Sequence, residues 1–364
     1  MRILLISYDD YKFDGRLREL IQVAKELGEV TYITRASDGE QPREKGHILY
    51  PDRGYSRFIF FVCMQVKKLG RQDLIFIDNR KGILPGYLAR KLSGADYVVQ
   101  DCRELYDMKS AAGIPGRIGC IIERIFTKRS DVVIAANAYR ARIMTKMFRL
   151  RREPLNYENI RRLEYASDEK RQQVEAECRT FFEEPKFRIV STAGCDMSRT
   201  TGKMLEAMKG LGEDYELLLI GESEEEDEQI VRGTIRRLGL TNVKILPRMD
   251  QDHLKYFIQN SQAGMVAYHQ RDLNNRYCAS GKIFEFLFEG KPVVTSTNPP
   301  LKDFCEKYRA GQASDDYEQA VRELAGRYEQ WQNHVERLIS RIRVEQNNKK
   351  LADQIRSLLE ERKR

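Results

Sequence analysis

No apolar run in this chain approaches the roughly 20 residues that a membrane-spanning helix requires, so no such helix is expected. The opening Met1-Arg2-Ile3-Leu4-Leu5-Ile6-Ser7 is too short and too soon polar for a signal peptide, and it reads as a first strand. No two cysteines have Cys-x-x-Cys spacing. The seven that occur are scattered and odd in number, which speaks against disulfides and zinc and for reduced thiols in a cytoplasm. The four histidines form no metal-like spacing, so neither a metal nor a cofactor is expected. The first strand–helix turn lacks the glycine-rich dinucleotide fingerprint, and NAD binding is therefore not indicated. No nucleic-acid motif or aromatic-basic platform is present, which removes nucleic acid as the expected partner. Internal repeats and low-complexity segments are also absent.

What is present suits an α/β protein of two ordinary domains. The chain has 364 residues, 41% hydrophobic and 32% charged, enough for each half to bury a core. Its net charge of +8 is uneven: residues 1–160 carry 29 Lys and Arg against 20 Asp and Glu, residues 161–364 carry 34 against 35. A basic N-terminal half points to an anionic partner there, a membrane surface or a phosphorylated acceptor, or to no more than a basic surface.

Along the chain, strand and helix patterns alternate. Residues 2–7, Val30–Ile33, Leu74–Asp78, Tyr97–Asp101 and Ser130–Asn137 read as strands of one doubly wound sheet. Residues 151–185 read as the connection, and a second series follows from Phe187 through Tyr215–Gly221, Val243–Met249 and Gly264–Tyr268. The expected division is 1–165, 166–335, and a terminal helix over 336–364 that packs back on the N-terminal domain or stays free. The aromatic segment from Tyr55 to Met64, with basic flanks, fits a helix packed on the sheet better than one lying on a membrane, because nearly all its faces are apolar. Asp250-Gln251-Asp252 stands just before a helix, and Asp250 reads as its cap.

The stretch from Tyr277 to Thr295 carries the most chemistry. Ser280 and Gly281 suit a helix start, where free N–H groups favour an anion. Ile283, Phe284 and Leu287 fall at helical spacing, with Lys282, Glu285 and Glu289 expected to point elsewhere. Gly290 ends the helix and Pro292-Val293-Val294 begins a strand. The pattern fits a nucleotide diphosphate, or an ordinary helix–strand unit with a surface lysine.

Lys-Ile-Phe-Glu-Phe-Leu-Phe-Glu-Gly-Lys-Pro-Val-Val resembles the nucleotide-sugar motif of family 4 glycosyltransferases, retaining enzymes of GT-B fold, in the sub-branch reading Pro-Asn-Lys-Leu-Phe-Glu-Tyr…Gly-Lys-Pro-Val. Phe13-Asp14-Gly15-Arg16 resembles the Phe-Asp-x-Arg before their first helix, and Asp101-Cys102-Arg103-Glu104-Leu105 their Asp-x-His-Glu-Leu. The resemblance implies two Rossmann-like domains facing across a cleft. It implies a donor, UDP-linked, held by Gly194, Arg199, Arg248, Ser280, Gly281, Lys282 and Glu285, the last accepting ribose hydroxyls. It places Gly15, Arg16, Asp101 and Glu104 toward the acceptor, a glycan or lipid-linked sugar of cell-surface polysaccharide synthesis. Arg103, Arg199 and Lys282 become the catalytic cations, with no metal. From the cysteines the expected location is the cytoplasm, and the basic N-terminal half allows a peripheral place on the inner face of a membrane.

Three departures accompany the likeness. Arg103 replaces the family histidine, and a guanidinium cannot trade protons near neutral pH. Cys195 stands where the family has a donor-binding cation, and Tyr277 where it has a glutamate. A weakened partner subunit and a nucleotide-sugar epimerase stay open beside the transferase. Arg16 and Arg199 also fit plain surface arginines.

Overall fold

The computed structural model describes every residue except 13, 37–39, 52–53 and 363–364; Phe13 and Arg53 therefore lie outside the described residues. The chain divides into two compact units, one of residues 1–159 with 344–364, the other of residues 160–343.

In the first unit, β1 (Arg2–Asp10), β2 (Glu29–Arg35), β3 (His47–Tyr50), β4 (Leu74–Asp78), β5 (Tyr97–Cys102), β6 (Val132–Ala135) and β7 (Leu155–Asn156) form one sheet in the order β3-β2-β1-β4-β5-β6-β7. All its pairings are parallel, with Ile3 opposite Glu29's neighbour Val30 on one side and Leu74 on the other. Period-2 alternation sends Leu4, Ile6, Ile75 and Ile77 to one face and Ile3, Leu5 and Phe76 to the other. Helices α1 (Gly15–Leu27), α2 (Tyr55–Leu69), α3 (Asn79–Ser93) and α4 (Gly113–Thr127) follow β1, β3, β4 and β5. Phe58, Val62 and Val66 of α2 and Ile83 and Ala89 of α3 pack on the first face, joined by Ile122 and Phe126 of α4.

Leu17, Leu20 and Ile21 of α1 cover the second face together with Leu351, Ala352, Ile355 and Leu359 of the terminal helix Val344–Glu361. Polar contacts fix that helix in place: Asn348 accepts from Tyr157 Oη at 2.6 Å and donates to Glu19 at 2.7 Å, and Arg356 donates to Glu26 O at 2.8 Å.

The second unit repeats the plan with β8 (Phe187–Ser191), β9 (Tyr215–Ile220), β10 (Val243–Leu246), β11 (Ala263–Val266), β12 (Val293–Thr295) and β13 (Gly311–Ala313), all parallel, in the order β10-β9-β8-β11-β12-β13. Asp250 caps the helix Gln251–Gln259, accepting from His253 N at 2.9 Å. The strand order reverses between β1 and β4 and between β8 and β11. Ligands of open α/β sheets bind outside the strand ends at such reversals. Among the described residues no helix is long and apolar enough to cross a membrane.

Candidate functional site

Beyond β8 the chain turns at Gly194, whose φ of +61° suits glycine. A Cβ there would fall 2.8 Å from Glu222 O and from Ser223 Oγ, so the loops after β8 and β9 touch backbone to backbone. Asp196 then accepts from Ser198 N at 2.8 Å and caps the short turn Met197–Arg199. That turn lays the Arg199 guanidinium 3.9 Å from the centroid of Tyr268, just past β11, with Nε 3.2 Å from Asp196.

The helix Lys282–Phe288 seats itself between β11 and β12 because Gly264 of β11 leaves room: a Cβ there would lie 2.3 Å from Phe286 Cγ. Ile283, Phe284, Glu285, Phe286 and Leu287 are all buried. The expectation that Glu285 points away from the packed side is thereby corrected. Its carboxylate is 5% exposed and meets Arg161 Nη2 at 2.6 Å, because a charge enclosed on all sides needs a partner.

Lys282 Nζ donates to Thr192 O, the first residue after β8. Burial pulls the Lys282 pKa down to about 8. Glu285 and Asp196 oppose that shift, while Arg199 and Arg161 add to it. Four buried polar atoms nearby have no partner: Thr192 Oγ1, Ser280 Oγ, Arg199 Nη1 and Arg161 Nε. Each belongs to a residue that touches Lys282, presses on its charge or sits two positions before it. Gly281 precedes the helix with helical dihedrals and no side chain caps this end. Three cations thus stand against two carboxylates at the β8/β11 reversal, with donors left over. Buried unpaired polar groups cost about 1–3 kcal/mol each, and a compact anion would supply the missing acceptors.

Structure therefore unites Gly194, Arg199, Ser280, Gly281, Lys282 and Glu285. Arg248 is half exposed and 3.2 Å from Glu222, whose backbone carbonyl abuts Gly194. Arg161, Thr192, Asp196 and Tyr268 were not singled out from sequence. Arg161 lies in the connection, 124 positions from Glu285, and no spacing rule joins them.

The first unit's strand ends look different. Arg16 is 3% exposed and pairs bidentately with buried Asp101, Nε at 2.8 Å and Nη2 at 2.6 Å, while Nη1 donates to Tyr157 O at 3.0 Å. Burial alone would lower its pKa, but Asp101 outweighs burial and raises it. Arg16 is neither a surface arginine nor open to a solute, and Asp101 is spent on it. Gly15 is buried in the first turn of α1. Glu104 alone of the four is partly exposed, 3.7 Å from Arg140.

Arg103 contacts Asp14 and, at 2.5 Å, Asp78, with Asp9 at 3.6 Å. Burial would lower its pKa, yet Asp78, Asp14 and Asp9 push it well above the ordinary value. Asp78, which also accepts from Ser7 Oγ at 2.6 Å, is itself raised by burial against the pull of Arg103. The guanidinium thus holds three carboxylates together, while its buried Nε has no partner.

No family model matches the chain, and no curated protein matches it in sequence. Solved structures do. Anabaena HepE, crystallised with UDP and glucose, is similar over 98% of this chain and 100% of its own, at 14% identity and a TM-score of 0.75. Sucrose-phosphate synthase from Thermosynechococcus elongatus is similar over 99% of both chains, at 16% identity and a TM-score of 0.73. WaaG, a glycosyltransferase involved in lipopolysaccharide biosynthesis, is similar over 96% of this chain and 98% of its own, at 15% identity and a TM-score of 0.69. At such identities the likeness shows the fold, which is that of the GT-B glycosyltransferases.

Proposed function

We propose that the chain transfers a sugar from a nucleotide diphosphate donor, UDP-linked, to a glycan or lipid-linked acceptor, in the manner of the family 4 transferases it resembles. The observation that carries this reading is the excess of cations over carboxylates, with unpartnered buried donors, around Lys282. The donor diphosphate lies against Ser280 and Gly281, with Lys282 and Arg199 neutralising charge as it leaves; aimed cations in a desolvated site stabilise a leaving phosphate strongly. Glu285, paired with Arg161, accepts ribose hydroxyls. Arg248 stands toward the base. HepE, crystallised with UDP and glucose, and WaaG, a glycosyltransferase, support the donor class.

The acceptor belongs to the first unit, where Asp9, Asp14 and Glu104 offer partly exposed carboxylate oxygens to sugar hydroxyls. The reaction retains anomeric configuration, the leaving phosphate helping to take the acceptor proton. One observation favours a second reading, a weakened partner subunit: both terminal nitrogens of the arginine in the family histidine's place are engaged by carboxylates.

Calorimetry with UDP tests the donor site, and UDP release from a panel of UDP-sugars with and without acceptor tests the reaction. Release that depends on acceptor is expected. Conversion of donor without acceptor would indicate an epimerase, binding without turnover the partner subunit, and no binding of any nucleotide would end the reading.

A further inference from the structure

Helix α4 occupies a stretch where no element was expected from sequence. Its Gly113, Gly116 and Gly119 argue against a helix by propensity, but Pro115 falls in the first turn, where no N–H is needed. What the helix shows to solvent is unusual. Ile114, Ile118, Ile121 and Ile125 are 74%, 50%, 49% and 44% exposed. At 3.6 residues per turn they fall in one stripe about 60° wide. Arg117 and Arg124 are exposed along one border of it, and Lys128 and Arg129 are exposed just past the helix end. The helix has a single acid, Glu123, directly opposite the stripe; it is 2% exposed with its pKa raised to about 8 by burial. The outer face is therefore apolar and positive with no carboxylate. Met108 and Lys109, exposed in the preceding loop, add to it.

α2 lies on the same face of the sheet and repeats the theme. Its buried side holds Phe58, Val62 and Val66, as a packed helix should. Its outer side shows Phe60 at 68% and Met64 at 40%, with Arg57, Lys67 and Lys68 exposed and no acid anywhere in the helix.

We propose that α4 is a docking surface for an anionic lipid bilayer, the four isoleucines entering the headgroup–acyl boundary and the flanking cations meeting lipid phosphates. An amphipathic helix with a basic border binds such interfaces through buried apolar area plus attraction to anionic lipid. Charge complementarity selects this occupant: an apolar protein groove would not need four cations, and a second copy of the same face would repel itself. The proposal does not depend on the donor reading, since no residue of the second unit enters it.

The test is co-sedimentation of the full chain with phosphatidylcholine vesicles, alone or carrying about 30% phosphatidylglycerol. Binding is expected to the anionic vesicles only and to weaken at high salt. Ile118→Asp with Ile121→Asp should lower partitioning at least tenfold. Arg117→Gln with Arg124→Gln should lower it about tenfold or more, a surface cation being worth roughly fivefold. Thermal melts check that these exposed changes leave the fold intact. Wild-type protein that ignores anionic vesicles, or an aspartate variant that binds as well as wild type, would overturn the proposal. So would a dimer in lipid-free buffer that the aspartate variant loses, since the face would then serve self-association.

Discussion

The two units share one plan, parallel strands whose order reverses beside the first strand, yet the two reversals handle charge in opposite ways. At β1/β4 one guanidinium, Arg103, faces three carboxylates, Asp9, Asp14 and Asp78. At β8/β11 three cations, Arg161, Arg199 and Lys282, face two carboxylates, and four polar atoms stay unpartnered. One fold thus presents an acidic crevice in one unit and a cationic one in the other. The strand plan creates the crevice; a few loop side chains decide which ligand charge it accepts.

Breaking the acidic side has the largest expected effect. Arg103→Met strands Asp78 without a countercharge and should cost about 3–5 kcal/mol of stability in urea unfolding. A loss under 1 kcal/mol would show the clamp to be unimportant. Glu123→Gln is next. A carboxyl raised from 4.5 to about 8 holds its proton in the folded state while the unfolded chain has lost it. Stability should fall as pH rises from about 5 to 8. The glutamine variant should lose that slope and exceed wild type above pH 8 by on the order of 2–4 kcal/mol. Parallel pH profiles would refute the assignment.

On the cationic side, Lys282→Ala and Arg199→Ala should each weaken UDP binding by about 1–3 kcal/mol by calorimetry, the usual loss for a charge-assisted contact. Wild-type affinity should also fall above pH 8, by up to about tenfold per unit, as the Lys282 ammonium loses its proton. A flat profile from pH 7.5 to 9.5 would place Lys282 away from the phosphates. The smallest effect is expected of Arg248→Ala, under about 1 kcal/mol in either measurement, because the residue is exposed and its pair with Glu222 is screened.

These contrasts also mark what sequence could disclose. The central strands of both sheets were legible because runs such as Leu74–Ile77 and Leu217–Ile220 are buried on both faces and so apolar throughout. β3, β7 and β13 were not, being edge strands of two to four residues with no readable alternation. The helix bearing Lys282 was visible from its spacing and its Gly290 stop. Glu285's burial was not, because Arg161 neutralises it from 124 positions away. Arg16 is no surface arginine, and its enclosure was not legible, since the side chain that pairs with its charge, Asp101, is 85 positions off. Charge pairing is set by tertiary proximity, and a pattern of period 2 or 3.6 does not record it.

The most direct test of the account is a crystal structure of the full chain with UDP. The prediction is a diphosphate within hydrogen-bonding distance of Lys282 Nζ and Arg199 Nη1, with a ribose hydroxyl on Glu285. A nucleotide bound anywhere other than the β8/β11 reversal, with Lys282 still turned to Thr192 and Arg199 Nη1 still unpartnered, would contradict it.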